Sequence, residues 1–311
     1  MRYKVTIIGA GQTGSATALW LAARDLCDIV LLDVVAGLAQ GKAMDLQEAM
    51  PILGQSTSIH GTSDYRETAN SDLILITAGM PRKPGMNRDD LLNINASVVV
   101  DAVEKSLPHS PNAIVIVLTN PVDPLTYLAY RISGLPKNRV LGQGGILDSA
   151  RFRAMIAREL GVSVESVHAC FLGGHGEHMV PMLRHSNVNG VPLPDLIPME
   201  KLNALVERVR HRGTEIISLL KTSSAAFAPG AALSEMAEAI LHNAHRLLPC
   251  SAYCEGEYGM HGLYFGVPAQ IGRGGVERIV ELPLTAEEQS ALQTSANKIR
   301  EIMAGLTAFL K

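Results

Sequence analysis

The sequence predicts an α/β protein: a doubly wound parallel sheet in the first half, then a mixed α+β region. Three observations carry this. Strand-length apolar runs alternate with helical patterns as far as about residue 146. Three glycines, Gly9, Gly11 and Gly14, stand where the first strand should hand over to the first helix. Beyond Asp148 the alternation gives way to short strand-like pieces and long helices. The halves are drawn at residues 1–146 and 147–311.

The apolar runs are Val5–Ile8, Ile29–Leu32, Leu73–Thr77, Ala113–Leu118 and Arg139–Leu141. Helical patterns fall at Gln12–Arg24, Gly37–Met50, Arg88–Ser106 and Pro124–Ser133. In a sheet of this kind the ligand sits beyond the carboxyl ends of the strands. Those ends are Gly9–Gly14, Asp33, Ala78–Arg88, Thr119–Asp123 and Gly142–Asp148. In the second half Leu147–Leu160 reads as a helix, and Asn189-Gly190 marks a hairpin. Helices follow over Lys201–Thr222 and after Pro229. Apolar pieces with Gly and Pro turns occupy Leu248–Ile271, and Thr285 with Glu288 caps a final helix running to Lys311.

The glycine triplet fits G-x-G-x-x-G. Gly9 permits a tight turn, Gly11 lets a pyrophosphate approach the backbone, and Gly14 lets helix and strand pack closely. A helix N-terminus beyond them offers unpaired N–H groups and partial positive charge to an anion. Asp33 ends the second strand roughly 20 residues after the last glycine, where a carboxylate accepts from a ribose diol. It would repel a 2′-phosphate, so the cofactor expected is NAD rather than NADP. Strand, glycine turn, helix, strand and acid in this order give a Rossmann-type dinucleotide site.

Composition bounds the rest. Across 311 residues the formal net charge is −3, and Lys and Arg form no block. Sequence-independent binding to nucleic acid needs clustered cations, so none is expected. No run is long enough to span a bilayer and no signal-type segment opens the chain, so a cytoplasmic protein is expected. Cys27, Cys170, Cys250 and Cys254 have no disulfide-framework spacing and read as reduced.

Four polar stretches could carry chemistry. The first, residues 77–92, is a Pro- and Gly-containing loop with Arg82, Lys83 and Arg88, suited to a lid over an anion. In Thr119-Asn120-Pro121-Val122-Asp123, Asn120 ends a strand and can present its amide to cofactor or substrate oxygens. Asp148 and Arg151 lie three apart on one helix face. His175 sits in a Gly-rich bend after an apolar run. Each stretch alone also fits an ordinary solvated loop, turn, surface ion pair or structural histidine. His175 and His178 on a loop lack the helical spacing and third ligand of a zinc site, so no metal is expected.

Together the motifs resemble one family. Gly9–Gly14, Asp33, the Arg82-Lys83-Pro84-Gly85-Met86 loop continuing to Arg88, Thr119–Asp123, Leu147-Asp148-Ser149-Ala150-Arg151 and Gly173-Gly174-His175-Gly176 follow the order of the lactate/malate dehydrogenase family. The resemblance covers essentially the whole chain. It implies reversible, NAD-dependent oxidation of malate to oxaloacetate. It makes His175 the acid–base group, Asp148 its partner, and Arg82, Arg88, Asn120 and Arg151 the substrate contacts. It adds Gln12, Thr13, Asn95 and Asn120 to the cofactor site, and it implies a homo-oligomer, dimer or tetramer. Three departures stand out: Glu177, where the family usually has Asp; His178, where a small polar or acidic residue is common; and Ser223–Phe227, which borders the substrate pocket. Lactate is the neighbouring substrate. Outside the class, the alternatives are an NAD- and metal-dependent glycosidase, or a nucleotide-binding regulator with no activity.

Overall fold

The computed structural model describes residues 2–80 and 88–310; the side chain of Arg88 lies outside the described residues. The first half runs β1 (Lys4–Ile8), α1 (Gln12–Ala23), β2 (Asp28–Leu32), α2 (Leu38–Leu53), β3 (Ile59–Thr62), β4 (Leu73–Ile76), α3 (Arg88–Ser106), β5 (Ile114–Val117), α4 (Val122–Ser133) and β6 (Val140–Gly142). The second half runs α5 (Gly145–Leu160), β7 (Val167–His168), β8 (Phe171–Gly173), β9 (Met179–Pro181), β10 (Asn187–Val188), β11 (Val191–Pro192), α6 (Leu193–Leu196), α7 (Met199–Leu220), α8 (Phe227–Leu241), β12 (Arg246–Glu255), β13 (His261–Gly272), β14 (Gly275–Ile279) and α9 (Ala286–Ala304).

The main sheet has the order β14-β13-β12-β6-β5-β4-β1-β2-β3. β1 to β6 pair in parallel, with the order reversing between β1 and β4, where the crevice of a doubly wound sheet opens. Both faces of these strands are covered, which is why they read as continuous apolar runs. Ile7, Leu31, Leu73 and Leu75 enter one core; their neighbours Ile8, Leu32, Ile74 and Ile76 enter the other. A third core packs α5 and α7 around Phe152, Phe171 and Val206. Each such side chain contributes about 1.5–3 kcal/mol by leaving water.

Two parts of the sheet differ from the expectation. β3 had no place in it: the strand is four residues long, and His60 and Gly61 interrupt its apolar character. The Leu248–Ile271 region is not a set of short pieces but two long antiparallel strands, β12 and β13. Pro249 and Pro268 face one another in register, so the missing N–H groups coincide on one rung, and the register shifts only further on, between Cys254 and Glu255. β12 pairs with β6 through Ser251 and Gly142, joining the second half to the parallel sheet. The final helix also stops short, at Ala304, followed by a 3-10 turn at Thr307–Phe309.

Helix α8 crosses onto α1. The Trp20 indole N–H donates to the Phe227 carbonyl at 3.1 Å, and Arg24 pairs with Glu238 at 2.6 Å. The second half therefore leans on the helix that follows the glycine turn.

Candidate active site

The three glycines of the turn are not equivalent. Gly9 has φ +108°, and a Cβ there would lie 2.6 Å from the Ala78 nitrogen. A Cβ at Gly14 would lie 1.8 Å from the Gly9 carbonyl oxygen. The fold itself requires both. At Gly11 a Cβ would meet no protein atom within 4 Å. Nothing in the fold forbids a side chain there, but a phosphate approaching the backbone would. The first intrahelical bond of α1 runs from the Ser15 N–H to the Gly11 carbonyl at 3.0 Å. The amides of Gln12, Thr13 and Gly14 thus have no acceptor inside the helix and open toward an anion. These residues fit NAD.

Asp33 stands at the end of β2. Its two oxygens accept from the Ala10 N–H at 2.7 Å and the Val35 N–H at 2.9 Å. A carboxylate has about four lone-pair sites, so room remains for a diol. Asp33 lines a cavity of about 350 Å³ with Gly9, Tyr65, Ala78, Ser97 and Asp101. Asn95 is placed differently. It is buried, its Oδ1 accepts from the Met80 N–H at 2.7 Å, and its Nδ2 donates to the Asn120 carbonyl at 2.7 Å. Among the described residues its amide serves the main chain on both sides, at Met80 and Asn120.

The second part of the site hangs on a tight hairpin, β8 to β9, with His175 at its bend. Ser295 on α9 clamps both arms: its hydroxyl donates to the His178 carbonyl at 2.7 Å and accepts from the Gly174 N–H at 2.9 Å. The imidazole Nδ1 donates to Asp148 Oδ2 at 2.8 Å, which leaves Nε2 for a substrate. Asp148 is wholly buried in the first turn of α5, and its other oxygen lies 3.4 Å from Arg151 on the next turn. Burial works against a charged imidazole. The adjacent Asp148, by charge and hydrogen bond, outweighs this and holds the His175 pKa above the ordinary value. Burial lowers the Arg151 pKa, with Asp148 acting in the opposite direction.

The two parts meet. Thr13, Asn120, Gln143, Arg151, His175 and Arg210 border one cavity of about 310 Å³. The turn of α1, the end of β5, the first turns of α5 and the His175 bend thus share a cleft. Arg82 lies outside the described residues, as does the side chain of Arg88; the backbone of Arg88 begins α3.

Sequence reasoning missed several groups. Asp123 opens α4 and reaches both His175 and Ser251. It stood inside a quoted motif, and its signal was an acid in the first turn of a helix directly behind a strand end. Gln143 and Arg210 face the cleft, and the Gln143 amide nitrogen and Arg210 Nε are buried without a hydrogen-bond partner among the described residues. Ser251 and Ser295 carried no local signal, since their partners are more than 100 residues away. Among the described residues no group of three His, Cys, Asp or Glu side chains could hold a metal. The four cysteines are free, and burial pushes the Cys27, Cys170 and Cys250 thiols up to about 12. No described helix is long and apolar enough to cross a membrane.

Comparison with known proteins bears on the same residues. Residues 3–142 match the lactate/malate dehydrogenase NAD binding domain, and residues 146–310 match the lactate/malate dehydrogenase alpha/beta C-terminal domain. A malate dehydrogenase of Roseiflexus sp. is 52% identical over 308 residues, covering 99% of this chain and all of the relative. The malate dehydrogenase structure from Salinibacter ruber superposes with a TM-score of 0.94 at 45% identity, covering 98% of each chain. A Cryptosporidium parvum lactate dehydrogenase, solved with lactic acid and nicotinamide adenine dinucleotide, superposes at 0.95 with 41% identity over 98% of each chain. The glycine turn, the His175–Asp148 pair and the shared cleft sit on a chain matched along nearly its whole length, and the chain belongs to the lactate/malate dehydrogenase family.

Proposed function

We propose that this chain catalyses reversible, NAD-dependent oxidation of malate to oxaloacetate. The observation that carries the reading is the cleft where a buried Asp148–His175 pair, Arg151 and Asn120 meet the nucleotide turn. NAD, when bound, takes up or returns a hydride. The turn at Gly9, Gly11 and Gly14, with the amides of Gln12 and Thr13, would hold its pyrophosphate. Asp33 would accept from the ribose diol, and Asn95 keeps Asn120 in place. Arg151 binds the carboxylate next to the reacting carbon through paired, charge-assisted bonds. As the substrate C–H leaves as hydride, His175 Nε2 takes the hydroxyl proton and a carbonyl forms. In reduction the same nitrogen returns the proton. Asp148 fixes the ring through Nδ1–H and favours the imidazolium, the part an acid plays beside a catalytic histidine. Arg88 stabilises charge at the substrate oxygen, Asn120 orients substrate and cofactor, and Arg82 meets the far carboxylate.

Malate is preferred to lactate because relatives sharing about half of the residues bear the name malate dehydrogenase. Arg82 supplies the chemistry: a guanidinium pairs with a second carboxylate and is left uncompensated against a methyl. The reading includes a nucleotide-binding unit over residues 1–146 and a substrate unit over residues 147–311. It also includes a cytoplasmic enzyme of the tricarboxylic acid cycle acting as a homo-oligomer. The exposed Met44, Ile52 and Leu53 on α2 support self-association.

The test is NADH oxidation with oxaloacetate and pyruvate side by side. An unpaired buried charge costs several kcal/mol, so oxaloacetate should be preferred by roughly a hundredfold or more. Arg82→Gln should lower kcat/KM for oxaloacetate and raise it for pyruvate. Equal rates with both substrates in the unaltered protein would overturn the malate assignment.

A further inference from the structure

Asp123 takes no part in the roles above, yet it is 3% exposed and its carboxylate is directed at the His175 bend. Its Oδ2 accepts from the His175 N–H at 3.0 Å, and its Oδ1 accepts from the Ser251 hydroxyl at 2.6 Å. One side chain thereby ties three elements together: the first turn of α4, the β8–β9 bend and β12.

We propose that Asp123 is a positioning residue for His175, a second buried carboxylate that fixes the main chain of the imidazole and balances its charge from behind. The proposal rests on His175 being the acid–base group. Two arguments carry it beyond a structural tie. First, an asparagine could accept from the His175 N–H through Oδ1 and donate through Nδ2 to the Ser251 hydroxyl oxygen, keeping both contacts without the cost of burying a charge. Anchoring alone therefore does not call for an acid. Second, once His175 takes a proton, the charges behind the cleft cancel only with Asp123 ionised. Asp148 and Arg151, both on α5, form an ion pair and offset one another. Among the described residues Asp123 on α4 is left as the uncompensated charge, and proton uptake by His175 neutralises it. Arg210 on α7 borders the cleft but is paired with Glu207. Glu177, in the bend itself, borders the cleft and is engaged in an interaction of its own. On β12, Cys250 and Cys254 lie near Asp123 as neutral thiols, since burial pushes both upward.

Burial opposes a charged Asp123, and the coupling to His175 works against that cost. Burial pushes the Asp123 carboxyl above the ordinary range, while Ser251, the His175 N–H and the His175 charge act in the other direction. Asp123 in turn is among the groups that raise the His175 pKa. Each ionised partner favours the other.

The experiment is a titration of the His175 imidazole by NMR in the unliganded protein, with the resonance identified by its loss in His175→Asn. Asp123→Asn keeps the shape and an acceptor while removing the charge. The expected result is a weaker hold on the proton by about tenfold, one pKa unit. The pH profiles should move with it. Oxaloacetate reduction uses protonated His175 and is lost as pH rises through its pKa. Malate oxidation uses neutral His175 and is lost as pH falls through the same pKa. In Asp123→Asn both limbs should shift to lower pH together. Asp123→Ala, which removes the anchor as well, should also lower both plateaus. Lowered plateaus with an unmoved His175 titration in Asp123→Asn would make Asp123 a structural tie and overturn the proposal. Should the variants not fold, the Asp123 carboxyl carbon can be followed in the unaltered protein, where its resonance must respond as His175 titrates; indifference would equally overturn it. A shifted imidazole in a protein inactive toward oxaloacetate would leave the Asp123–His175 coupling standing and overturn the function reading instead.

Discussion

The nucleotide turn and the His175 bend achieve placement by opposite means. The turn is built from consecutive main chain: Gly9 to Gly14 follow one strand into one helix, and the ligand is offered backbone amides. The bend is built from distant side chains. Asp148, Asp123 and Ser295 come from α5, α4 and α9 and converge on four residues, Gly173 to Gly176. A main-chain site depends on the conformations its residues allow, so it is sensitive to added volume. A side-chain site depends on partners, so it is sensitive to lost hydrogen bonds and charges.

The largest expected effect removes the proton carrier. His175→Asn should lower kcat by about 10²–10⁴-fold, the usual contribution of a positioned acid–base group. NADH affinity, followed by fluorescence titration, should stay within a few-fold, because the turn owes nothing to the bend. A collapse of NADH binding would mean that the regions are not independent.

Asp148→Asn should come next. It keeps the contact to Nδ1 but removes the charge that raises the His175 pKa. A fall in kcat for reduction of about tenfold or more is expected at neutral pH. Activity in that direction should now be lost at a lower pH, since protonated His175 is required and survives only below its pKa. An unshifted limb would remove Asp148 from the acid–base chemistry.

Within the turn, Gly14→Ala and Gly11→Ala should part company. The first forces a Cβ against the Gly9 carbonyl and should cost about 1–3 kcal/mol in urea unfolding, as overpacking does. The second meets open space and should leave stability within about 0.5 kcal/mol while weakening NADH binding. Equal losses of stability would place Gly11 in the fold rather than in the site.

Ser295→Ala should destabilise by about 1–2 kcal/mol, because the Gly174 N–H and the His178 carbonyl lose a buried partner. NADH affinity should be kept while turnover falls. The smallest effect is expected at Asp33. Asp33→Ser removes the charge and should cut the preference for NADH over NADPH by about tenfold, roughly one charge-assisted hydrogen bond. An unaltered enzyme equally active with both would remove Asp33 as the selector.

The same contrast explains what could be read in the sequence. The turn was legible because its signal lies within six residues and its strand has both faces buried. Asp148 and Arg151 were legible as one helix face. Asp123 was printed in a recognised motif, yet nothing in its neighbours says that it points at a bend 52 residues on. Ser295 and Ser251 are ordinary serines until the chain folds. Strand β3 failed because its four residues include a histidine and a glycine, and β12 and β13 were fragmented by prolines whose register cannot be seen one strand at a time.

The pairing of β12 with β6 has a consequence for anyone who would cut the chain between its two matched regions. β6 is an inner strand only because Ser251 sits beside Gly142. Expressed alone, residues 1–146 would end in an apolar strand, Val140 and Leu141 fully buried in the intact protein, with one row of backbone donors and acceptors unpaired. Such an edge recruits other copies of itself. The truncated half should therefore go to the pellet, and the intact chain should melt in a single calorimetric transition.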